Sequence, residues 1–247
     1  MAARKVGSSR RRGGQEPSWT PESVGVRPAL YASMVSYLFD RPAPVDGQQE
    51  WYWDIDEPVF EASPLEWTQL QSVLFANAGR DLVSFDNEQV GMGLNYVMNN
   101  AVSMVPFAAT DPTVPVDEAM RMMSAMPQLW SGCIGPRLAS LHSPIGSIEG
   151  GRLAFACYMW FDIWPTFHSV RHVECWRDAV WEVLRSMLNV PCRDVQIAAL
   201  HGIGHHVHHL DRRIVIDETI AAFTRRLGAD DDELRNYAEA ARQGTVA

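Results

Sequence analysis

No stretch of the 247-residue chain approaches the roughly 20 apolar residues that a bilayer-spanning helix needs. The best candidate, "LAFACYMWFDIWPTF" (153–167), is too short and carries Asp162. That predicts a protein with no membrane partner. Cysteine is scarce. Cys133, Cys157, Cys175 and Cys192 are scattered, and none forms a CxxC pair. A disulfide framework and a Cys–His zinc spacing are both excluded, and the four read as reduced, partly buried thiols of a cytoplasmic protein. There is no Walker loop, no GxSxG and no GxGxxG. P-loop, nucleophile-elbow and dinucleotide-binding chemistry lose their signatures with them. No segment shows the strict apolar–polar alternation of half-buried strands.

Basic charge is also short overall, and it is unevenly placed. The formal net charge is -9, which argues against nucleic acid as the main ligand. Residues 1–27 hold Arg4, Lys5, Arg10, Arg11, Arg12 and Arg27 against Glu16 and Glu22, a balance of +4, so the remainder carries -13. Residues 1–26 are rich in Gly, Ser, Pro and Arg and hold no apolar run that would make a signal-peptide core. They read as a disordered basic arm ahead of an acidic body. Only through this arm is a nucleic-acid or other phosphate contact expected.

Apolar residues are plentiful. The chain is 47% hydrophobic, with nine Trp, nine Phe and eleven Met, enough for a substantial core in one domain over 27–247. Their spacing is helical nearly throughout. Residues 27–40 make a helix that stops before Pro42. In "SPLEWTQLQSVLFANAG" (63–79), Ser63 with Glu66 forms a capping box, Pro64 suits the first helical position, and Gly79 reads as the end. Asp86 with Gln89 forms a second box, and Gly91 and Gly93 follow inside that helix. Each interior glycine costs about 1 kcal/mol relative to alanine, which implies close approach of another backbone. Residues 115–135 carry Met120, Met122, Met123 and Met126, a soft core rather than a cofactor box. Residues 151–167 are apolar on nearly every face and read as a central buried helix. Helices over 174–191, 192–210, 212–227 and 230–243 complete an all-α chain. The expected architecture is stacked antiparallel helix pairs, either a HEAT- or armadillo-like solenoid or an irregular bundle.

Two resemblances follow from particular residues. "DVQIAALHGIG" resembles the second-helix signature of HEAT-like repeats, with Val195, Ala198, Ala199, Leu200 and Gly204 in the recurring places. The match covers about one repeat and implies HEAT-like character over about 174–243. "FDNEQVGMGL", "CYMWFDIWP" and "ALHGIGH" together resemble a family of uncharacterised bacterial helical proteins with an ALHGLGH-type motif near the C-terminus. That similarity spans roughly 60–225 and implies no particular activity. This chain departs from the motif by continuing "HVHH", which adds His206, His208 and His209.

Five of the eight histidines fall between His201 and His209. At 100° per residue, Ile197, Leu200, Ile203 and Val207 form the apolar side of one helix. His201, His205 and His208 stack at i, i+4 and i+7; His209 lies beside them and His206 points elsewhere. Two histidines at i, i+4 can chelate a divalent metal, as in HExxH helices. Here the spacing is HGIGH, so the metalloprotease glutamate is missing. A zinc centre needs a third ligand, for which Asp162 and His208 are the candidates. The cluster admits three roles: buried imidazoles hydrogen-bonded to Asp162 or a carbonyl, a solvated face that binds metal adventitiously, or a native metal or acid–base centre. A divalent ion such as zinc is the one cofactor the pattern suggests.

Other acidic groups have simpler explanations. Asp54, Asp56 and Glu57 read as a solvated loop, without EF-hand spacing. Asp162, if buried, needs Arg152, Arg171 or a histidine beside it. Asp230, Asp231 and Asp232 read as a helix N-terminus. The leading expectation is a non-enzymatic cytoplasmic helical-repeat protein that binds a protein partner, in an interaction, accessory or immunity-type role. The alternative is a metal-dependent enzyme built on His201, His205 and Asp162, which requires the carboxylate within ligand reach of both histidines, in a pocket.

Overall fold

A computed structural model describes residues 19–45, 48–141, 144–145, 150–228 and 231–246. The expected arm up to residue 18, and Asp230, lie outside them. The described residues are helical, with no strand: α1 (Pro28–Phe39), α2 (Pro64–Asp81), α3 (Asn87–Met98), α4 (Val116–Gln128), a π-helical turn (Leu129–Ile134), α5 (Gly135–Leu138), α6 (Gly151–Ile163), α7 (Thr166–Val170), α8 (Glu174–Met187), α9 (Arg193–His206), α10 (Arg213–Thr224) and α11 (Asp232–Gln243). The all-α class is as expected.

The packed body includes residues before 27. Val24 and Val26 are buried in the core, and the Asn77 side chain donates to the Trp19 carbonyl at 2.8 Å. The end of the expected arm is thus part of the body, because its two valines have apolar surface to bury.

Both capping boxes form. Ser63 and Glu66 satisfy each other's backbone N–H at the start of α2, as do Asp86 and Gln89 at the start of α3. Gly79 does not end α2, which runs on to Asp81. A Cβ at Gly79 would sit 2.4 Å from the Gly132 carbonyl oxygen, so this glycine marks contact with the π-helical turn rather than a cap. Gly91 answers to the same cause: a Cβ there would lie 2.4 Å from the Arg152 backbone, where α6 crosses α3.

Helix ends shift where local chemistry demands it. α6 stops at Ile163, not at 167, because Trp164 precedes Pro165 and adopts extended backbone with ψ 106°. The 115–135 helix continues to Leu138 through the π-helical turn. Pro136, which lacks an N–H, follows where the α-ladder is broken. Met122, Met123 and Met126 are buried, as a soft core requires.

The main spatial neighbours skip along the chain. α2 packs on α4, α3 on α6, α6 on α9, and α9 on α11. This is the irregular-bundle form of the expectation for the N-terminal part. In the C-terminal part α8 pairs with α9, and α10 with α11. Trp130, Trp160, Phe75 and Phe161 interlock edge-to-face and stacked at the centre, with Trp130 and Trp160 centroids 5.5 Å apart. α6 thereby lies between α3 and α9 and carries one face of its own toward the histidine helix.

Candidate metal centre

The histidine cluster is assembled by three helices. On α9, His201 and His205 lie one turn apart on the same face, and their rings meet edge-to-face with centroids 4.5 Å apart. On α6, Tyr158 and Asp162 are also one turn apart and face α9. On α11, Leu234, Ala238 and Ala241 are buried, and that anchoring brings Tyr237 beside His201.

The ligand atoms converge. His201 Nε2 and His205 Nε2 are 3.2 Å apart, and His205 Nε2 is 3.6 Å from Asp162 Oδ1. One atom from each of the three residues falls within 4.8 Å of the other two. Two nitrogens bound to one zinc ion at about 2.0–2.1 Å in tetrahedral geometry stand about 3.3 Å apart. The observed spacing fits that, and it also fits an imidazole–imidazole hydrogen bond. His201 is 2% exposed, whereas His205 and Asp162 reach solvent. Burial, then the neighbouring His205, lowers the His201 pKa from 6.5 to about 4, with Asp162 acting weakly the other way. The ring is neutral at neutral pH, the form a metal requires.

A hydroxyl pair lies behind His201. Its Nδ1 is 2.7 Å from Tyr237 Oη, which is 3.2 Å from Tyr158 Oη. The Tyr158 ring stacks on the His201 imidazole at 4.3 Å. Burial, and the bond to Tyr158, push the Tyr237 hydroxyl far above the ordinary phenol value, so it stays protonated. Neither tyrosine was among the sequence candidates. Tyr158 carried a usable signal, being four residues before Asp162 on the same helix; Tyr237 had no local one.

His208 is not in the cluster. α9 ends at His206, and the chain turns there, with the N–H of both His209 and Leu210 on the His206 carbonyl. The i+7 register therefore fails, and His208 lies exposed beside Gly244. His209 also leaves the face and accepts from Arg171 Nη1 at 3.2 Å. His206 is buried, with its Nε2–H donated to the Phe161 carbonyl at 2.9 Å. Among Asp162's expected partners the histidine is realised. Arg152 instead bridges Glu50 and Glu88, at 3.0 and 2.6 Å.

The other acidic groups behave structurally. Glu57 pairs with Arg41 at 2.6 Å, and Asp54 accepts from the Asp56 N–H in a local turn. Asp231 stands at the start of α11 and pairs with Arg193 at 2.6 Å. The clefts at Phe60–Trp67–Met104 and at Tyr52–Trp53–Arg152 lie away from the three ligands. No helix among the described residues is long and apolar enough to cross a membrane. Comparison with protein-family models, with curated proteins and with solved structures found no match for the chain.

Proposed function

We propose that this is a metal-dependent helical protein in which Asp162, His201 and His205 hold one divalent transition-metal ion, zinc in the first instance. The carrying observation is the convergence of two Nε2 atoms and a carboxylate oxygen from α9 and α6 within 4.8 Å of one another. Structural zinc sites are closed by four protein ligands, whereas catalytic ones keep a position for water or substrate. Three ligands come together here among the described residues, and two of them reach solvent. An ion held there would leave a position open and would supply metal-assisted chemistry, polarising a substrate oxygen or activating a water; the clefts described above lie elsewhere, so the enzyme reading rests on the ligand geometry and not on a pocket. The HGIGH spacing supplies no helix-borne glutamate base, so a water activated there would have to pass its proton to solvent, which His205 and Asp162 reach.

A second reading rests on the pairing of α8 with α9 and α10 with α11, with α9 on α11. Two helix pairs packed side by side support a HEAT-like reading of this part, which suits a protein-interaction, accessory or immunity-type factor. In either reading the free cysteines suit the cytoplasm.

Metal content of untagged protein, purified without a metal column, separates the two. The metal reading expects close to one ion per chain, lost in His201→Ala and in His205→Ala. Folded protein that arrives empty and takes up no added zinc would refute it and favour the second reading.

A further inference from the structure

The hydroxyl pair behind His201 does more than fill a hydrogen bond. A neutral imidazole has one donor and one acceptor nitrogen, and His205 faces Nε2 at 3.2 Å. Tyr237 supplies a second at Nδ1, 2.7 Å away, and Tyr158 takes up Tyr237 in turn at 3.2 Å. The ring is also clamped in plane: Tyr158 stacks at an interplanar angle of 28°, and the Tyr237 ring is parallel to it within 7°. The orientation of His201 is thus set from its Nδ1 side.

A neutral imidazole carries one ring proton. If Nδ1–H donates to Tyr237 Oη, and Tyr237 O–H donates to Tyr158 Oη, then Nε2 keeps its lone pair. That lone pair points where the His205 Nε2 and the Asp162 carboxylate also point. We propose that Tyr237 is a positioning residue of the metal centre, with Tyr158 behind it, and that docking of α11 is therefore coupled to metal loading. The proposal rests on the metal reading above. Metal-bound histidines characteristically donate their remote ring N–H to an oxygen acceptor, and loss of that acceptor weakens metal binding about 10–100-fold. Here the acceptor comes from a different helix than any ligand. Coupling of this kind is reciprocal: whatever Tyr237 adds to metal affinity, the metal adds to the docked state of α11.

The test uses the full chain, zinc and a competing chelator. Tyr237→Phe keeps the ring packing and deletes the hydroxyl; Tyr158→Phe deletes the outer link and leaves the Tyr237 hydroxyl on His201 in place. The expected result is an affinity loss of about tenfold or more in Tyr237→Phe and a smaller one in Tyr158→Phe. Two readouts go beyond stability. In the zinc-loaded wild type, nuclear magnetic resonance should show a protected proton on His201 Nδ1, and Tyr237→Phe should lose that protection. Zinc should slow amide exchange in α11 of the wild type by several-fold more than in Tyr237→Phe. Equal zinc affinity of Tyr237→Phe and wild type overturns the inference while leaving the metal reading intact. So does a zinc-loaded wild type with the proton on Nε2, or α11 exchange indifferent to zinc. A wild type that binds no zinc overturns the metal reading itself.

Discussion

Replacing His206 with glutamine should flatten the acid side of the stability curve. His206 is 1% exposed, and its Nε2–H is donated to the Phe161 carbonyl at 2.9 Å. Its Nδ1 finds no hydrogen-bond partner among the described residues. A proton added at Nδ1 would place an uncompensated charge against Phe167, whose ring meets the imidazole edge-on at 4.9 Å. Burial is the main cause that lowers the pKa from 6.5 to about 4; the carbonyl opposes it, and His168 reinforces it. The unfolded chain therefore binds a proton near pH 6.5 that the folded chain refuses until about pH 4. Stability contributed by the neutral ring is whole above pH 6.5 and falls as pH drops toward 4, below which this group adds no further slope. At about 1.4 kcal/mol per pH unit, the loss is about 3 kcal/mol. Glutamine places its amide N–H near the position of Nε2, so it can keep the bond to Phe161 while removing the ionisation. Urea unfolding at pH 7.5, 6.5, 5.5 and 4.5 measures the slope. The wild type should lose about 2.5 kcal/mol more than His206→Gln over that range, which stops just short of the folded pKa. Parallel curves would show that the buried ring does not carry the proton-linked term.

Three further outcomes follow from the packing. Gly91→Ala forces a Cβ to 2.4 Å from the Arg152 backbone and should cost about 3 kcal/mol by denaturant unfolding, since neither α3 nor α6 can yield cheaply. Asp86→Ala removes half of a capping box and should cost about 1 kcal/mol, with thermal denaturation as the readout. His208→Ala should leave the metal content of purified protein unchanged, because the ring lies beside Gly244 rather than with Asp162.

Much of the centre was legible before any fold was known. The i, i+4 spacing of His201 and His205 is a property of one helix, and Asp162 stood out as a carboxylate in an apolar run. The glycines at 91 and 93 announced close helix contact. What misled was continuity. His208 belongs to the same face only if α9 continues past His206, and Gly79 caps α2 only if nothing presses against it.

Local chemistry in the chain by itself determined the helical class, the two capping boxes, the break before Pro165 and the histidine pair. Each depends on interactions within a few residues, which a helix imposes wherever it forms. The tertiary structure alone decided that α6 carries Asp162 to within 3.6 Å of His205, that α11 brings Tyr237 to His201, and that His206 is sealed against Phe161. Those contacts join residues 36 to 45 positions apart. Their geometry is set by how helices settle around Trp130 and Trp160, and the local code of any one segment holds no record of it.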